Sequence, residues 1–496
     1  MTRSKAQSCN ANRGLTKAGW EHACKFSRNS AERKLACPAG KFWWCWMVVV
    51  MTSCARVANG DTFDVINGND TGAGSLRWAI SNANLSTGPH LIQFRIPTNT
   101  VQVIRPVQPL PALEQAMVLD GYTQSNASPK TASEAAVIRV ELDGSGAGVL
   151  ANGLEIRASS CTIRGLAINR FGGTGIQITD GSSNIIRGNF IGLAADGATI
   201  QPNEFEGVWI KQGTGNEIGG TAPEAGNVIS GNQSSGILIS ADGNVVRGNF
   251  IGLIATGTAE AGNGLDGITI EGATNVVGGT LPGARNVISG NLTAGVYLTG
   301  SATMNVVAGN FVGPAAGGTN ALGNFFGIAI EGMGNRIGGP EVGSGNLISG
   351  NSYTGIFVDG TGASNNVIAG NWIGTDAMRR PTLGNAKAGI LLAASGNLIG
   401  GLSAGAANVV AGNRSNGVTV INTNLSGDAI LGNSIFANIG LGIDLGNDGP
   451  TPNDPNDADA GPNGRQNYPV TNSAESGGTG TGVTGMLQSA PNTMYR

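Results

Sequence analysis

Glu271, Thr299, Glu331 and Asp359 each stand four residues after a recurring glycine, and the three acids each precede another glycine. Where such repeats stack as strands, equivalent positions on neighbouring repeats lie about 5 Å apart. Glu331 and Asp359 would then have the separation of a retaining glycosidase pair. Glu271 and Glu331, two repeats apart, would approach the inverting range. Carboxylates so close can divide the roles of acid and base. The plainer reading makes all three turn residues on a wet surface.

Two residues after the same series of glycines come Trp209, Tyr297 and Phe357. Aromatic side chains in a row along a rigid face can stack on sugar rings. Lys211, two residues beyond Trp209, is placed to pair with a uronate. Loops folded over those rings are the alternative. Farther along, Asp454, Asn456, Asp457 and Asp459 offer only oxygen ligands at short spacing, the donor set of calcium. They depart from the EF-hand template, and Asp-Pro loops also serve as plain connectors.

Other chemistries lack their residues. The chain has two histidines, His22 and His90. A Ser-His-Asp or Cys-His constellation and a His-ligated zinc site are therefore not expected. No Gly-x-x-x-x-Gly-Lys-Ser/Thr phosphate loop occurs, and the many Gly pairs read as turns.

The elements that must position these residues are repeats. Gly-apolar-x-apolar begins at Gly175, Gly207, Gly236, Gly267, Gly295, Gly327, Gly355, Gly389 and Gly417. Eight intervals cover 242 residues, a period of about 30, within the range of solenoids. Between these units runs Asn-x-apolar-x-Gly-Asn, ending at Asn189, Asn232, Asn249, Asn291, Asn310, Asn351, Asn371, Asn413 and Asn433. The alternation of apolar and polar residues is that of strands with one buried face. Two or three strands per period, with no helix between them, predict stacked coils paired in parallel. Asparagines recurring at one place in the coil predict a ladder of amide hydrogen bonds. The expected fold is all-β, a parallel β-helix of roughly eleven coils. A β-propeller would need four antiparallel strands over about 40–45 residues.

The segments divide accordingly: 1–60 for export, 61–130 an N-terminal cap region, 131–446 the repeats, 447–466 an Asp/Pro-rich loop, and 467–496 the start of a β-rich region. Ser75–Asn84 has helical spacing, with Leu76, Ala79, Ile80 and Ala83 on one face, and is expected to cap the first coil. Residues 1–60 carry 10 Lys/Arg against 2 Asp/Glu, which leaves 19 against 30 for the remainder. A body near −11 argues against nucleic acid as a partner. A basic stretch ending at Lys41 meets the apolar run Phe42–Met51, and Ala58-Asn59-Gly60 offers small residues for cleavage. That run has half the length needed to span a bilayer. The expectation is secretion or surface display after cleavage near Gly60, with a lipid tether at Cys54 as the weaker option. Cys161 is the only cysteine beyond residue 60 and reads as a small core side chain.

Gly74-Ser-Leu-Arg-Trp-Ala-Ile80, Leu119-Asp-Gly-Tyr-Thr-Gln124, Asn227-Val-Ile-Ser-Gly-Asn232, Asn371-Trp-Ile-Gly-Thr-Asp376 and Leu441-Gly-Ile-Asp-Leu-Gly-Asn447 together resemble one group. It is the exported bacterial CSLREA-type right-handed β-helix proteins of the pectin-lyase-like fold. The Ser-Leu-Arg core of the naming motif is present and its Cys and Glu are absent. The resemblance spans about 61–496 and implies the fold far more than an activity. Longer relatives carry a β-sandwich after the Asn-Tyr-Pro-Val stretch, here Asn467–Val470, so the resemblance implies a truncated distal region. Lyases of this fold use acidic residues with calcium and an arginine base, for which Arg187 and Arg247 recur at one coil position. The Gly-His-Gly of its polygalacturonases and the Asp-Pro-His-Asp of its epimerases are missing. The expected function is binding of extracellular polysaccharide by a monomeric adhesin-like protein. The alternative is a polysaccharide lyase or glycoside hydrolase using Glu271, Glu331 and Asp359.

Overall fold

The computed structural model describes residues 60–421, 427–478 and 480–489. The export segment lies outside the described residues. Three parallel sheets run the length of the repeats. The first has 13 strands, from Thr62–Val65 to Ala429–Leu431, and the second 12, from Gln102–Ile104 to Ser434–Phe436. The third has 11, from Leu154–Ile156 to Ile443–Leu445, which is the number of coils the repeat count led us to expect. Strands at Thr62–Val65, His90–Phe94, Gln102–Ile104 and Met117–Asp120 already belong to the first two sheets, so stacking starts within the 61–130 stretch.

Alternation builds the core. In Ile268–Ile270 the two isoleucines are buried and Thr269 between them is half-exposed, and the neighbouring strands repeat the pattern. The inward residues of all three sheets join one apolar column with the helix Leu76–Ala83 at its front. Leu76, Ala79, Ile80 and Ala83 of that helix are fully buried, and the Ser75 hydroxyl caps it by accepting from the Trp78 N–H.

The asparagines form three ladders, one at each corner of the coil. One runs Asn184, Asn216, Asn244, Asn275, Asn305, Asn335, Asn366, Asn397 and Asp428, ahead of the first sheet. A second begins Asn189, Asn227, Asn249 and Asn286, and a third begins Asn203, Asn232, Asn263 and Asn291. The asparagines that end the Gly-Asn phrase therefore split between two corners: Asn189, Asn249 and Asn310 in the second ladder, Asn232 and Asn291 in the third. At a typical rung, Asn310 Oδ1 accepts from the Asn286 N–H at 3.2 Å and from Asn286 Nδ2 at 2.9 Å, while Asn310 Nδ2 donates to the Val277 carbonyl at 3.0 Å. These amides satisfy corner groups that water cannot reach. Asn463 of the Asp/Pro-rich loop extends the first ladder by accepting from the Asp428 N–H at 3.2 Å.

Coils alternate in where their long loop leaves. Loops after Ile191, Ile251, Val312 and Ile373 leave the second sheet, whereas those after Gly219, Gly278, Gly338 and Gly400 leave the first. The true structural unit is thus two coils, and Asn189, Asn249, Asn310 and Asn371 mark it at intervals of 60 to 61 residues. Loops of the first kind hydrogen-bond to one another across the intervening coil, Ala255 N–H to Gly197 O at 2.8 Å and Ala316 N–H to Gly257 O at 3.0 Å. Gly197 needs its glycine: its φ is +69°, and a Cβ there would lie 2.9 Å from the Phe190 ring. Beneath these loops lies a second apolar layer on the outside of the second sheet, including Phe190, Leu193, Val228, Leu253, Val287, Phe311 and Leu347. After the last coil, Val470–Gly477 and Gly480–Met486 form an antiparallel hairpin.

Candidate functional site

The acidic series is in register. Ile270 pairs with Leu298, Leu298 with Ile330 and Ile330 with Val358, so the following residues Glu271, Thr299, Glu331 and Asp359 succeed one another on four adjacent coils of the third sheet. Parallel pairing sets the Glu331 and Asp359 backbones about 4.8 Å apart. The carboxylates differ in their attachments. Glu271 accepts from the Ser240 hydroxyl at 2.7 Å, and Ser240 in turn accepts from the Trp209 indole N–H at 3.1 Å. Asp359 accepts from the N–H of Gly360 in its own turn at 2.7 Å. Glu331 lies beside the Tyr297 hydroxyl. Burial first, and then Glu331, Asp266 and Asp359, push the pKa of Tyr297 far above its ordinary value and keep the phenol protonated.

The aromatic series shares one outward column but is interrupted. Trp209 pairs with Leu238, Leu238 with Thr269 and Thr269 with Tyr297; Ala329 then separates Tyr297 from Phe357. Lys211 is folded back, with its ammonium 4.3 Å from the centre of the Trp209 ring. That cation–π contact holds the charge on the face it was expected to serve. Phe357 instead joins residues that the sequence reading passed over. Its ring stacks on Phe326 at 5.1 Å, Phe326 meets Tyr353 edge-on at 5.5 Å, and Tyr353 stacks on Phe325 at 5.0 Å. Phe326 stands directly before a repeat glycine, and Tyr353 two residues before the next one, where the phrase reads as loop. The cluster lies beside Ala329 and Glu331, so aromatic and acidic groups meet on two neighbouring coils.

Arg187 and Arg247 are not part of this face. Both lie in the first sheet, at the ends of Ile185–Arg187 and Val245–Arg247, and Arg247 is held by Glu217 at 2.7 Å. An arginine base at either position is therefore separated from the acidic series by a whole strand.

In the Asp/Pro-rich loop, carboxylate oxygens of Asp454, Asp457 and Asp459 lie within 4.8 Å of one another, and Asn456 stands in the turn between the first two. Asn456 and Asp457 adopt φ of 65° and 57°, which turns the chain back on itself. Asp454 accepts from the Ala458 N–H at 3.0 Å, and Asp457 from the Asn467 N–H at 2.7 Å and the Ser489 hydroxyl at 2.6 Å. Asp459 Oδ1 is buried without a hydrogen-bond partner among the described residues. Three convergent carboxylates, one with a free buried oxygen, suit a hard divalent cation such as calcium. No helix among the described residues is long and apolar enough to cross a membrane.

Among solved structures, the chain is similar to a Dettilon tailspike protein at 16% identity and a TM-score of 0.43, covering 75% of this chain and 64% of that one. It is similar to the A-module of a mannuronan C-5 epimerase of Azotobacter vinelandii at 12% identity and a TM-score of 0.36, covering 79% of this chain and all of the module. A surface adhesin of Streptococcus pneumoniae matches at 11% identity and a TM-score of 0.34, over 87% of this chain and all of the adhesin. No family model and no curated protein matches the chain. Three long parallel sheets, each strand paired in parallel with its counterpart on the next coil, make this a parallel β-helix.

Proposed function

We propose that the protein binds extracellular polysaccharide along the outer face of the third sheet, as a surface or adhesin-like element. The observation that carries this reading is the Phe325–Phe326–Tyr353–Phe357 cluster beside Tyr297, Glu331 and Asp359. Stacked rings on a rigid sheet give sugar rings a flat apolar support, and the neighbouring carboxylates and phenol accept or donate to hydroxyls. Lys211, fixed over Trp209, provides a cation for a uronate at the other end of the face. Calcium at Asp454, Asp457 and Asp459 would brace the loop that closes the last coil. On that account, chelator lowers the melting temperature of the calcium-treated protein by a few degrees, and an unchanged melt removes the ion from the account.

A second reading, a glycoside hydrolase or lyase, is favoured by one observation: Glu331 and Asp359 follow paired residues on adjacent coils, so their backbones lie about 4.8 Å apart and their carboxyl groups are within reach of a retaining pair's separation. One experiment separates the two. The protein is incubated with pectate, alginate, hyaluronan and neutral glycans, with and without calcium, while unsaturated uronate and new reducing ends are followed. Cleavage that disappears in Glu331→Gln or Asp359→Asn establishes the enzyme. Binding without cleavage, weakened about tenfold in Phe357→Ala or Tyr353→Ala, establishes the binding surface. Neither binding nor cleavage overturns both readings.

A further inference from the structure

On the opposite, loop-covered side of the coil, three cations sit over rings of one column in the second sheet. Lys130 Nζ is 4.6 Å from the Phe250 ring centre, Arg285 Cζ 4.0 Å from that of Phe311, and Arg379 Cζ 4.5 Å from that of Trp372. Strand register runs Phe250, Val287, Phe311, Leu347, Trp372, so successive rings are two coils apart. Two coils amount to about 10 Å along the axis. Among the described residues none of these cations is paired with a carboxylate, whereas Arg380, next to Arg379, is held by Asp376 at 2.6 Å. Arg285 and Arg379 are exposed, and Lys130 is half-buried at a cavity of about 230 Å³ bordered by Phe190, Phe250 and Glu134. Three aligned, unpaired cations stand out on a body that carries 19 basic and 30 acidic residues.

We propose that this strip binds an anionic polysaccharide lengthwise, one acidic group of the polymer meeting a cation at every second coil. The ring beneath each cation holds it in place, so little side-chain freedom is lost when the polymer arrives. A spacing of about 10 Å fits a chain with one charge per two linked sugars. Duplex nucleic acid carries a charge about every 1.7 Å of its axis, which three sparse cations do not match, and the acidic body repels it. The inference concerns a surface separate from the third-sheet face and does not depend on that reading.

The test uses the full chain with hyaluronan oligosaccharides, which carry one carboxylate per disaccharide. Oligogalacturonate, neutral dextran and a single-stranded oligonucleotide serve as comparisons. Hyaluronan fragments are expected to bind, and a Lys130→Gln/Arg285→Gln/Arg379→Gln triple variant with an unchanged melting temperature to bind about tenfold or more weakly. Each single change is expected to cost about two- to fivefold, and Arg285→Lys to keep most of the affinity. Raising salt from about 50 to about 200 mM should weaken the parent more than the triple variant. The proposal is overturned if the triple variant binds like the parent, if dextran binds equally well, or if the oligonucleotide binds more tightly than hyaluronan. Loss of hyaluronan binding in Phe357→Ala and Tyr353→Ala but not in the triple variant also overturns it while leaving the third-sheet reading standing. The reverse pattern supports it and counts against the third sheet.

Discussion

The outer faces of the second and third sheets start from the same strand pattern and end differently. On the second sheet the outward column reads Phe190, Val228, Phe250, Val287, Phe311, Leu347, Trp372, and loops from every other coil close over most of it. On the third, the outward column reads Gln177, Trp209, Leu238, Thr269, Tyr297, Ala329, Phe357, and all but the buried Gln177 and Ala329 are half-exposed. The difference lies in where the insertions fall. Loops that leave the second sheet fold back over its own outer face and become a second core, so aromatics there are structural first. Aromatics on the third sheet have no such roof, and their burial adds less to stability and leaves more surface for a ligand.

That contrast can be broken most directly by truncating one ring on each face. Phe311→Ala, in the roofed layer, should cost about 3–4 kcal/mol and shift chemical unfolding accordingly. Phe357→Ala, half-exposed, should cost no more than about 1 kcal/mol. Equal costs would erase the distinction between the two faces.

A smaller change acts on the ladders that keep both faces in register. Asp428 stands where the other rungs of its ladder carry asparagine. Its Oδ1 accepts from the Asn397 N–H at 2.9 Å, but Oδ2 is buried without a partner among the described residues. At the preceding rung the equivalent atom is Asn397 Nδ2, which donates to the Ala363 carbonyl at 2.9 Å. Burial raises the Asp428 pKa above its ordinary value. Asp428→Asn should therefore stabilise the protein by about 1–2 kcal/mol near neutral pH. A carboxyl whose folded pKa is raised contributes most below its unfolded pKa, and that contribution is lost as pH rises through the folded value. The advantage of Asn over Asp should thus be small at about pH 4, grow as pH rises and then level off. A gap that narrows with rising pH would contradict this.

The mildest probe is Tyr297→Phe, which removes the phenol beside Glu331. It should change stability by less than about 1 kcal/mol while weakening carbohydrate binding severalfold. An unchanged affinity would confine the site to the four-ring cluster.

Much of this architecture can be read from residue order. Gly-Ile-Thr-Ile at Gly267 declares a strand with one buried face, and Ser75 followed by Leu76, Ala79, Ile80 and Ala83 declares the capping helix. The register of Glu271, Glu331 and Asp359 also follows, because each strand runs a fixed count from its glycine and length variation falls in loops. The two-coil unit was hidden. Asn184-Ile-Ile-Arg-Gly-Asn189 and Asn227-Val-Ile-Ser-Gly-Asn232 look alike locally, yet one passes through the first sheet and the other through the second. Only the position of the long loop distinguishes them. Phe325, Phe326 and Tyr353 were missed for a related reason: they lie before the strand phrase, and their contacts join residues 27 to 31 positions apart, across neighbouring coils. No local pattern marks such a contact.

The central claim, that polysaccharide lies on the third sheet, is tested most directly by side-chain footprinting of the full chain with and without a bound oligouronate. The account predicts that Phe325, Tyr353 and Phe357 lose reactivity toward hydroxyl radical on binding, while Trp78 and Leu85, exposed at the N-terminal cap, keep theirs. Binding that leaves the three rings as reactive as in the free protein would contradict it.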